Sequence, residues 1–389
     1  MQWDQNQDNL SPGYRVIEGI AQLYQRVKAE PERYPRGMTI RILLGNYPNL
    51  ATFTYGDQIW NVINDLHDAG VEMENPDIGW KVEVANFTGS YPHSHTKFEI
   101  IDGESLLSAG FNISWIHLPE DHPSGKGADL TDLGLLLTGP VAQPALAAFD
   151  DQWNGANQLV CSDMGIGEET DRWQKSCEWQ IASASHTPEV LKYYLTGQDQ
   201  AAFALYRTDV YKEADEAYVA TVGSARQSID AIHVNFSAQL VCWLELVAPG
   251  VCTFEENTLP WMKALVDAVE QNHTQVRVIV ENANSNGIEN RIALKLLNEE
   301  LSRRGLSEYV ELRFFDGRVH AKSALIDGNL LFVGSQNFHY SSFGSAGLLE
   351  FVGATESPEA IKNYQEMFEY YWQQAIPADE AVWGATSSE

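Results

Sequence analysis

One short pattern occurs twice in this chain and limits its possible folds more than any other feature. A histidine is followed two residues later by a lysine and, five residues after that, by an aspartate. A constant offset of 225 residues superimposes the two copies without a gap. The aligned residues are His95 with His320, Lys97 with Lys322, Asp102 with Asp327 and, further along, Asn112 with Asn337. One match would be weak evidence, but two in register indicate a duplicated chain with one motif in each half.

The residue types of the motif suit the cleavage of a phosphate diester. Alternate residues of a strand point to the same face, so we expect each histidine to project together with the lysine two positions on. One imidazole can attack phosphorus while the other protonates the leaving oxygen, and the lysines neutralise the charge that builds on the non-bridging oxygens. The alternative interpretation, buried structural histidines and surface lysines, does not explain why the pattern occurs twice.

The composition is that of a globular protein with an acidic surface. The 389 residues, of which 44% are hydrophobic and 20% charged, are enough for two domains with a substantial core. No apolar run in the sequence reaches the length of a membrane span. The formal net charge is −29, and an acidic surface repels a polyphosphate backbone, which argues against extended contact with DNA or RNA.

Four cysteines fall into two close pairs, Cys161 with Cys177 and Cys242 with Cys252. The even number and the spacing predict two disulfides that close short loops, and hence an oxidising compartment, extracellular or periplasmic. Four free thiols are the alternative. Residues 1–4 resemble the end of a strand rather than the start of a domain. We therefore expect a removed secretory segment and a few further residues to have preceded the given chain.

Hydrophobic periodicity predicts strands that alternate with helices in both halves. The expected helices include 13–29, 57–69, 141–153, 188–195, 213–226, 260–271 and 288–304, and the expected strands include 40–44, 82–87, 95–101, 105–109, 133–137, 229–236, 276–280 and 310–315. The pattern predicts an α/β fold with two lobes, 1–154 and 206–389, joined by a linker or insertion at 155–205, with the N-terminal strand of the first lobe incomplete.

These motifs resemble those of the phospholipase D superfamily, and the resemblance covers nearly the whole chain. Ser335 and Asn337, which follow the second copy, belong to its most specific marks. The stretch 131–140, with Trp153 and Cys161 behind it, is similar to secreted bacterial phospholipases D. The resemblance implies a duplicated fold of mixed sheets flanked by helices, with the active site at the pseudo-twofold interface of the lobes. It also implies hydrolysis of phosphatidyl head groups, or transfer of the phosphatidyl group to an alcohol.

The resemblance also implies roles for single residues. His95 would form a phosphohistidine, and His320 would act first as general acid and then as base. A histidine needs a carboxylate to fix its tautomer and hold its proton. Asp132 and Glu350 occupy the superfamily's positions for this task, and the sequence leaves open which carboxylate serves which histidine. The residues expected to hold the phosphate are Lys97, Lys322, Asn112, Asn337 and Ser335.

The remaining motif residues are the aspartates. Asp102 and Asp327 follow a strand and precede a glycine, which predicts structural anchors at turns rather than partners of the imidazoles. The first copy has Gly110 where the second has Ser335, so the phosphate contacts of the two copies are expected to differ. No cluster of His, Cys, Asp and Glu in the sequence has metal-ligand spacing, and we expect neither a metal nor a cofactor.

Three functional hypotheses follow from the sequence. The first is a monomeric phospholipid phosphodiesterase that acts at a membrane or micelle surface with water or an alcohol as acceptor. The apolar segment 240–251 would contact lipid in that case, and a buried insertion is the alternative. The second is a nuclease of the same superfamily, which the net charge of −29 disfavours, so nucleic acid is not an expected partner. The third, a non-enzymatic binding module, does not explain two intact motifs.

Overall fold

The computed structural model describes residues 2–46, 58–89, 92–167, 171–183, 199–248, 250–282, 284–315, 317–344 and 347–378. The chain divides into two compact units that interleave along the sequence. The first comprises Met1–Ser94, Asn112–Asp129 and Ala147–Thr187, and the second comprises His95–Phe111, Leu130–Leu146 and Pro188–Glu389. Both copies of the motif therefore belong to the second unit. The lobe boundaries drawn from the sequence repeat stay a prediction, and the helix predicted at 188–195 lies outside the described residues.

Strands and helices alternate along the described ranges, which confirms the α/β class. The helices are α1 (Pro12–Ala29), α2 (Gln58–Asp68), α3 (Ala142–Trp153), α4 (Glu213–Ser224), α5 (Phe254–Asn257), α6 (Pro260–Asn272), α7 (Asn284–Arg304), α8 (Tyr340–Phe343) and α9 (Pro358–Gln374). The strands are β1 (Met38–Leu44), β2 (Glu74–Asn75), β3 (Trp80–Asn86), β4 (Phe98–Ile101), β5 (Ser105–Ala109), β6 (Gly134–Thr138), β7 (Asn157–Cys161), β8 (Cys177–Ile181), β9 (Ala202–Arg207), β10 (Ser228–His233), β11 (Gln275–Glu281), β12 (Val310–Phe315), β13 (Lys322–Ile326), β14 (Leu330–Gly334), β15 (Glu350–Thr355) and β16 (Ile376–Pro377).

The first unit is built on a sheet with the strand order β1-β3-β7-β8, and β2 pairs with β3. Helix α1 begins where the Ser11 hydroxyl accepts a hydrogen bond from the Tyr14 backbone N–H at 3.0 Å, and it buries Ile17, Tyr24 and Val27. These apolar side chains recur every seven and three residues, so they lie on one helical face. They form one core with the apolar residues of α2 and of the inner sheet face.

The second unit contains an eight-stranded sheet in the order β16-β12-β11-β10-β13-β14-β15-β9 and a three-stranded sheet in the order β4-β5-β6. Strands β10, β11 and β12 are parallel, whereas β13, β14, β15 and β9 are antiparallel neighbours. The Ser108 hydroxyl of β5 donates to the Val333 carbonyl at 2.8 Å and accepts from the Gly353 N–H at 2.9 Å. This buried serine therefore ties the small sheet to the large one.

Equivalent residues of the repeat have the same local packing in each unit. Phe149 stacks on Trp153 with 5.6 Å between ring centroids, and in the second unit Phe368 stacks on Trp372 with the same separation. An arginine lies over the tryptophan in both cases, Arg41 in the first unit and Arg277 in the second. The duplication read from the sequence is thus visible in side-chain geometry.

Both predicted disulfides are present. Cys161 is bonded to Cys177 across β7 and β8, and Cys242 to Cys252 in the loop after β10. None of the helices in the described ranges is long and apolar enough to span a membrane. The strand predicted at 133–137 corresponds to β6, whose side chains alternate between buried and exposed.

Candidate active site

The two motif segments have the same backbone course. Each runs through an extended lead-in, then a strand (β4 or β13), and then an Asp-Gly turn. Asp102 and Asp327 have φ values of 54° and 52°, and the glycines that follow them are also left-handed. Two consecutive residues with positive φ are what a tight hairpin turn requires, as predicted. The strand predicted from residue 95 begins only at Phe98, so His95 and His320 lie in the lead-ins and not in the strands.

His95 is held by two contacts with the start of β15. Its backbone N–H donates to the Leu349 carbonyl at 2.9 Å, and its ring Nδ1 lies 2.9 Å from Glu350 Oε2. Stacking of Phe98 on Phe351, with centroids 4.3 Å apart, fixes the two strands next to this contact. The carboxylate therefore binds Nδ1, which leaves Nε2 as the ring atom that can react.

His320 is held in the same way by the segment before β6. Its backbone N–H donates to the Thr131 carbonyl at 2.7 Å, and its Nδ1 lies 2.6 Å from Asp132 Oδ2. Each histidine thus bonds the carbonyl of the residue that precedes its own carboxylate. The structure resolves the pairing that the sequence left open: His95 pairs with Glu350, and His320 with Asp132.

The two lysines are buried, but they contact different atoms. Lys97 Nζ donates to the His95 carbonyl at 2.7 Å. Lys322 Nζ also bonds the carbonyl of its histidine, and in addition lies 2.8 Å from His320 Nδ1. Burial, together with the neighbouring Lys322, lowers the pKa of Lys97 to about 7. Burial lowers the pKa of Lys322 to about 8, against the attraction of Asp132 and Glu350.

The carboxylates have different surroundings. Glu350 accepts hydrogen bonds from the Ser335 hydroxyl at 2.5 Å and the Ser342 hydroxyl at 2.7 Å. Asp132 accepts instead from the backbone N–H of Leu133 at 2.8 Å. Burial alone would raise the pKa of both carboxyls, but the adjacent cations and hydrogen bonds lower both values. Both groups are therefore carboxylates at neutral pH.

Gly110 and Ser335 occupy equivalent positions, and each suits its own carboxylate. A Cβ atom at Gly110 would lie 2.1 Å from Asp132 Oδ1, so the short carboxylate fits only because residue 110 has no side chain. Ser335 was expected to hold the phosphate. Its hydroxyl donates to Glu350 and accepts from the Phe351 N–H at 2.9 Å, so in this structure it positions the carboxylate, and its contact with phosphate stays a prediction.

Burial keeps both imidazoles neutral at pH 7. It lowers the pKa of His95 to about 4, although Glu350 acts in the opposite direction. Burial and the adjacent Lys322 lower the pKa of His320 to about 3, against the effect of Asp132. A neutral imidazole is a competent nucleophile toward phosphorus through Nε2, and in His320 this atom lies 3.2 Å from Lys322 Nζ.

The other predicted residues differ in their placement. Asp327 Oδ1 accepts hydrogen bonds from the N–H groups of Gln227 and Ser228, which confirms a structural anchor at the start of β10, whereas Asp102 is exposed at its turn. Asn337 is buried, and its Oδ1 has no hydrogen-bond partner among the described residues. Asn112 belongs to the first unit, where its Oδ1 accepts from the Gln2 N–H at 3.1 Å.

The sequence interpretation missed one polar residue of this site, Ser342. Its hydroxyl binds Glu350, but no spacing or motif marks it, because it lies on the short helix α8 between the second motif and β15. The carbonyl contacts at residues 131 and 349 were missed as well, since backbone partners leave no signal in residue type. Only their position directly before the two carboxylates would have suggested them.

Residues 218–372 match the family model described as cardiolipin synthase, PLD-like domain. This range contains the second motif and Glu350, and the first motif repeats the same geometry. Residues 218–372 therefore form a phospholipase D-like domain. The similarity to secreted bacterial phospholipases D rests on the sequence stretch 131–140 with Trp153 and Cys161 behind it.

Comparison with solved structures gives one match over most of the chain, which supports a shared fold, and two matches over less than half of the chain. Phosphatidylserine synthase of Haemophilus influenzae Rd KW20 matches 92% of this chain and 85% of its own length, with 10% identity and a TM-score of 0.50. Nuc of Salmonella typhimurium, a phospholipase D family member, matches 46% of this chain and 98% of its own, with 18% identity and a TM-score of 0.33. NucT of Helicobacter pylori matches 46% and 99%, with 15% identity and a TM-score of 0.32. No curated protein sequence matches the chain.

Proposed function

We propose that this chain is a phosphodiesterase that removes head groups from phospholipids and passes the phosphatidyl group to water or an alcohol, through a phosphohistidine at His95. One observation carries the proposal: each of the two motif imidazoles is fixed at Nδ1 by a buried carboxylate, and each has a buried lysine beside it. This set contains a nucleophile, a proton donor and two cations, which is what the exchange of a phosphate diester requires.

In the first step, Nε2 of neutral His95 attacks phosphorus. A P–N bond forms, the P–O bond to the head group breaks, and His320 gives a proton to the departing oxygen. Glu350 stabilises the imidazolium that develops on His95, as a carboxylate does for a histidine that gains positive charge. Lys97 and Lys322 offset the charge on the non-bridging oxygens. In the second step, His320 takes a proton from water or an alcohol, whose oxygen displaces His95 from phosphorus.

The assignment of His320 as the acid draws on the position of Lys322. An ammonium 2.8 Å from the ring opposes protonation of His320 in the free protein. A bound phosphate diester neutralises that ammonium and adds a negative charge, so substrate binding favours the uptake of a proton by His320. Among the described residues, the Lys97 ammonium bonds the carbonyl of His95 and not its ring. Neutralisation of Lys97 by the bound diester therefore favours proton uptake by His95 less strongly.

The choice of a phospholipid over a nucleic acid draws on charge and on the disulfides. A formal charge of −29 repels a polyanionic strand, whereas a zwitterionic phospholipid carries no net charge. The two disulfides are stable in an oxidising compartment, and we propose an extracellular or periplasmic location.

Incubation of the purified protein with phosphatidylcholine, and separately with a single-stranded oligonucleotide, tests the proposal. We expect free choline and phosphatidic acid from the lipid, a phosphatidyl alcohol when ethanol is added, and no cleavage of the oligonucleotide. The His95→Ala variant serves as the control for a contaminating activity. Cleavage of the oligonucleotide without release of choline would replace this proposal with a nuclease.

A further inference from the structure

The loop after β10 exposes an unusual amount of apolar surface. Residues 240–248 and 250–251, which we call the apolar loop, include six exposed large apolar side chains: Leu240, Val241, Leu244, Leu246, Val247 and Val251. Val247 is 81% exposed, and Leu240 and Leu246 are each 57% exposed. Scattered single apolar residues on a surface are ordinary, but a contiguous group marks an interaction site. This excludes the buried insertion that the sequence left open as an alternative for this segment.

A disulfide and the hydrogen bonds of one carboxylate fix the conformation of the apolar loop. The Cys242–Cys252 disulfide closes it. Glu245, its only charged residue, turns back on the loop and accepts hydrogen bonds from the N–H groups of Gly250 at 3.0 Å and Cys252 at 2.6 Å. An internally bonded carboxylate does not interrupt the apolar surface with a free charge. A loop fixed in this way loses little conformational entropy when it binds.

The apolar loop starts next to the end of the second motif. Phe236 pairs with Phe338, and the Ser237 N–H donates to the Phe338 carbonyl at 2.8 Å. Trp243 Nε1 donates to Glu289, whose other oxygen lies 2.8 Å from His339 Nε2. The segment directly after Asn337 is thus bonded both to the base of the loop and, through Glu289, to its centre.

The charge of the loop disfavours an anionic partner. Residues 238–258 contain no lysine or arginine, so nothing in this segment attracts an anionic surface, and the whole chain carries a charge of −29. A protein partner with complementary charges would need polar groups that the exposed side chains do not offer. The exposed Leu and Val side chains suit the interface of a neutral lipid layer, where apolar burial alone drives binding.

We propose that the apolar loop inserts into the surface of a zwitterionic phospholipid layer and so places the second motif close to the head groups. This inference rests on the proposed function for its biological meaning, because a lipid phosphodiesterase must find its substrate at an interface. Its physical content, binding of lipid through this loop, is independent of turnover.

The test compares two matched double variants of the full chain. Leu246→Ser/Val247→Ser alters the apolar loop. Leu136→Ser/Val210→Ser alters a leucine and a valine that are 69% and 75% exposed elsewhere on the second unit. Co-sedimentation with phosphatidylcholine vesicles measures the partition of each protein, and thermal unfolding checks the fold.

We expect the loop variant to lose at least about tenfold in vesicle partition, and the control variant to stay within about twofold of the unaltered protein. Vesicles rich in phosphatidylglycerol should bind the unaltered protein more weakly, because both surfaces are negative. Equal partition of the two double variants, or no partition of the unaltered protein, would overturn the inference. Loop-dependent binding without release of choline would refute the proposed function and leave this inference standing.

Discussion

The two motif copies have the same sequence pattern and the same backbone hydrogen bonds, yet their carboxylates are supported differently. Glu350 is long, and two serine hydroxyls hold it against His95. Asp132 is short, and it reaches His320 because Gly110 leaves room for it. The glycine and the serine at equivalent positions are thus matched to the length of the neighbouring carboxylate, so replacement of either one alone should lower activity.

The carboxylates are also exchanged between the copies. His95 of the first copy pairs with Glu350, which lies 255 residues further along, and His320 of the second pairs with Asp132, 188 residues before it. Neither half of the sequence therefore contains a complete histidine–carboxylate pair. The two imidazoles thus have different carboxylate partners, so their roles can differ although the motifs are equivalent.

The largest effects should come from the histidines. His95→Ala should lower the turnover of a phospholipid by at least about 10⁴-fold, because the covalent route is lost. His320→Ala should do the same with a phospholipid, but it should keep a slow burst with a p-nitrophenyl phosphodiester, whose leaving group needs little protonation. Stopped-flow absorbance measures the burst of both variants, and thermal unfolding checks that the two are equally stable. A burst from His95→Ala would reverse the roles.

The two carboxylate variants should differ in activity in the same way as the two histidine variants. Glu350→Gln and Asp132→Asn should each lower phospholipid turnover by about 10²–10⁴-fold, since the imidazole loses the partner that fixes its tautomer. With the p-nitrophenyl diester, Asp132→Asn should recover most of its activity and Glu350→Gln should not. Equal recovery by the two variants would show that the His95–Glu350 and His320–Asp132 pairs do not have the separate roles of nucleophile and acid.

Much of this site could be predicted from the sequence, because the motif residues lie within a few positions of one another. The Asp-Gly turns and the two disulfides were likewise local, and all were confirmed. The pairing of His95 with Glu350 was not predictable, because it depends on which strands pack together over a separation of 255 residues. The contact of Ser335 with Glu350 was not predictable for a related reason: Glu350 and Phe351, which Ser335 contacts, come from another strand.

Substitution of Gly110 or of Ser335 should have a moderate effect on turnover, and the two effects should differ in size. Gly110→Ala places a methyl group on the Asp132 carboxylate, so turnover should fall by about 10²-fold or more, and the steric clash should lower the melting temperature as well. Ser335→Ala removes one of the hydroxyls that hold Glu350 and should cost only about tenfold. Steady-state kinetics on both variants measures the ratio. A larger loss from Ser335→Ala would mean that its hydroxyl also contacts the substrate.

The smallest effect concerns stability. Burial lowers the pKa of Lys97 from 10.5 to about 7, so the folded state disfavours its charged form, and this cost is complete below pH 7 and disappears as the pH rises toward 10.5. Lys97→Met should therefore raise the melting temperature by a few degrees at pH 6, less at pH 9, and abolish activity. Lys322→Met should gain less, because the pKa of Lys322 falls only to about 8. Calorimetry at both pH values checks this, and a lower melting temperature for Lys97→Met at pH 6 would contradict it.

The unequal roles of the two histidines are tested most directly by locating the covalent intermediate. The His320→Ala variant is mixed with a p-nitrophenyl phosphodiester and quenched in alkaline denaturant, where a P–N bond survives, and its peptides are analysed by mass spectrometry. We predict a phosphoryl adduct on the peptide that contains residue 95, and none on any peptide of the His95→Ala variant treated in the same way. An adduct on the peptide that contains residue 320 in the His95→Ala variant would contradict the assignment of His95 as the nucleophile.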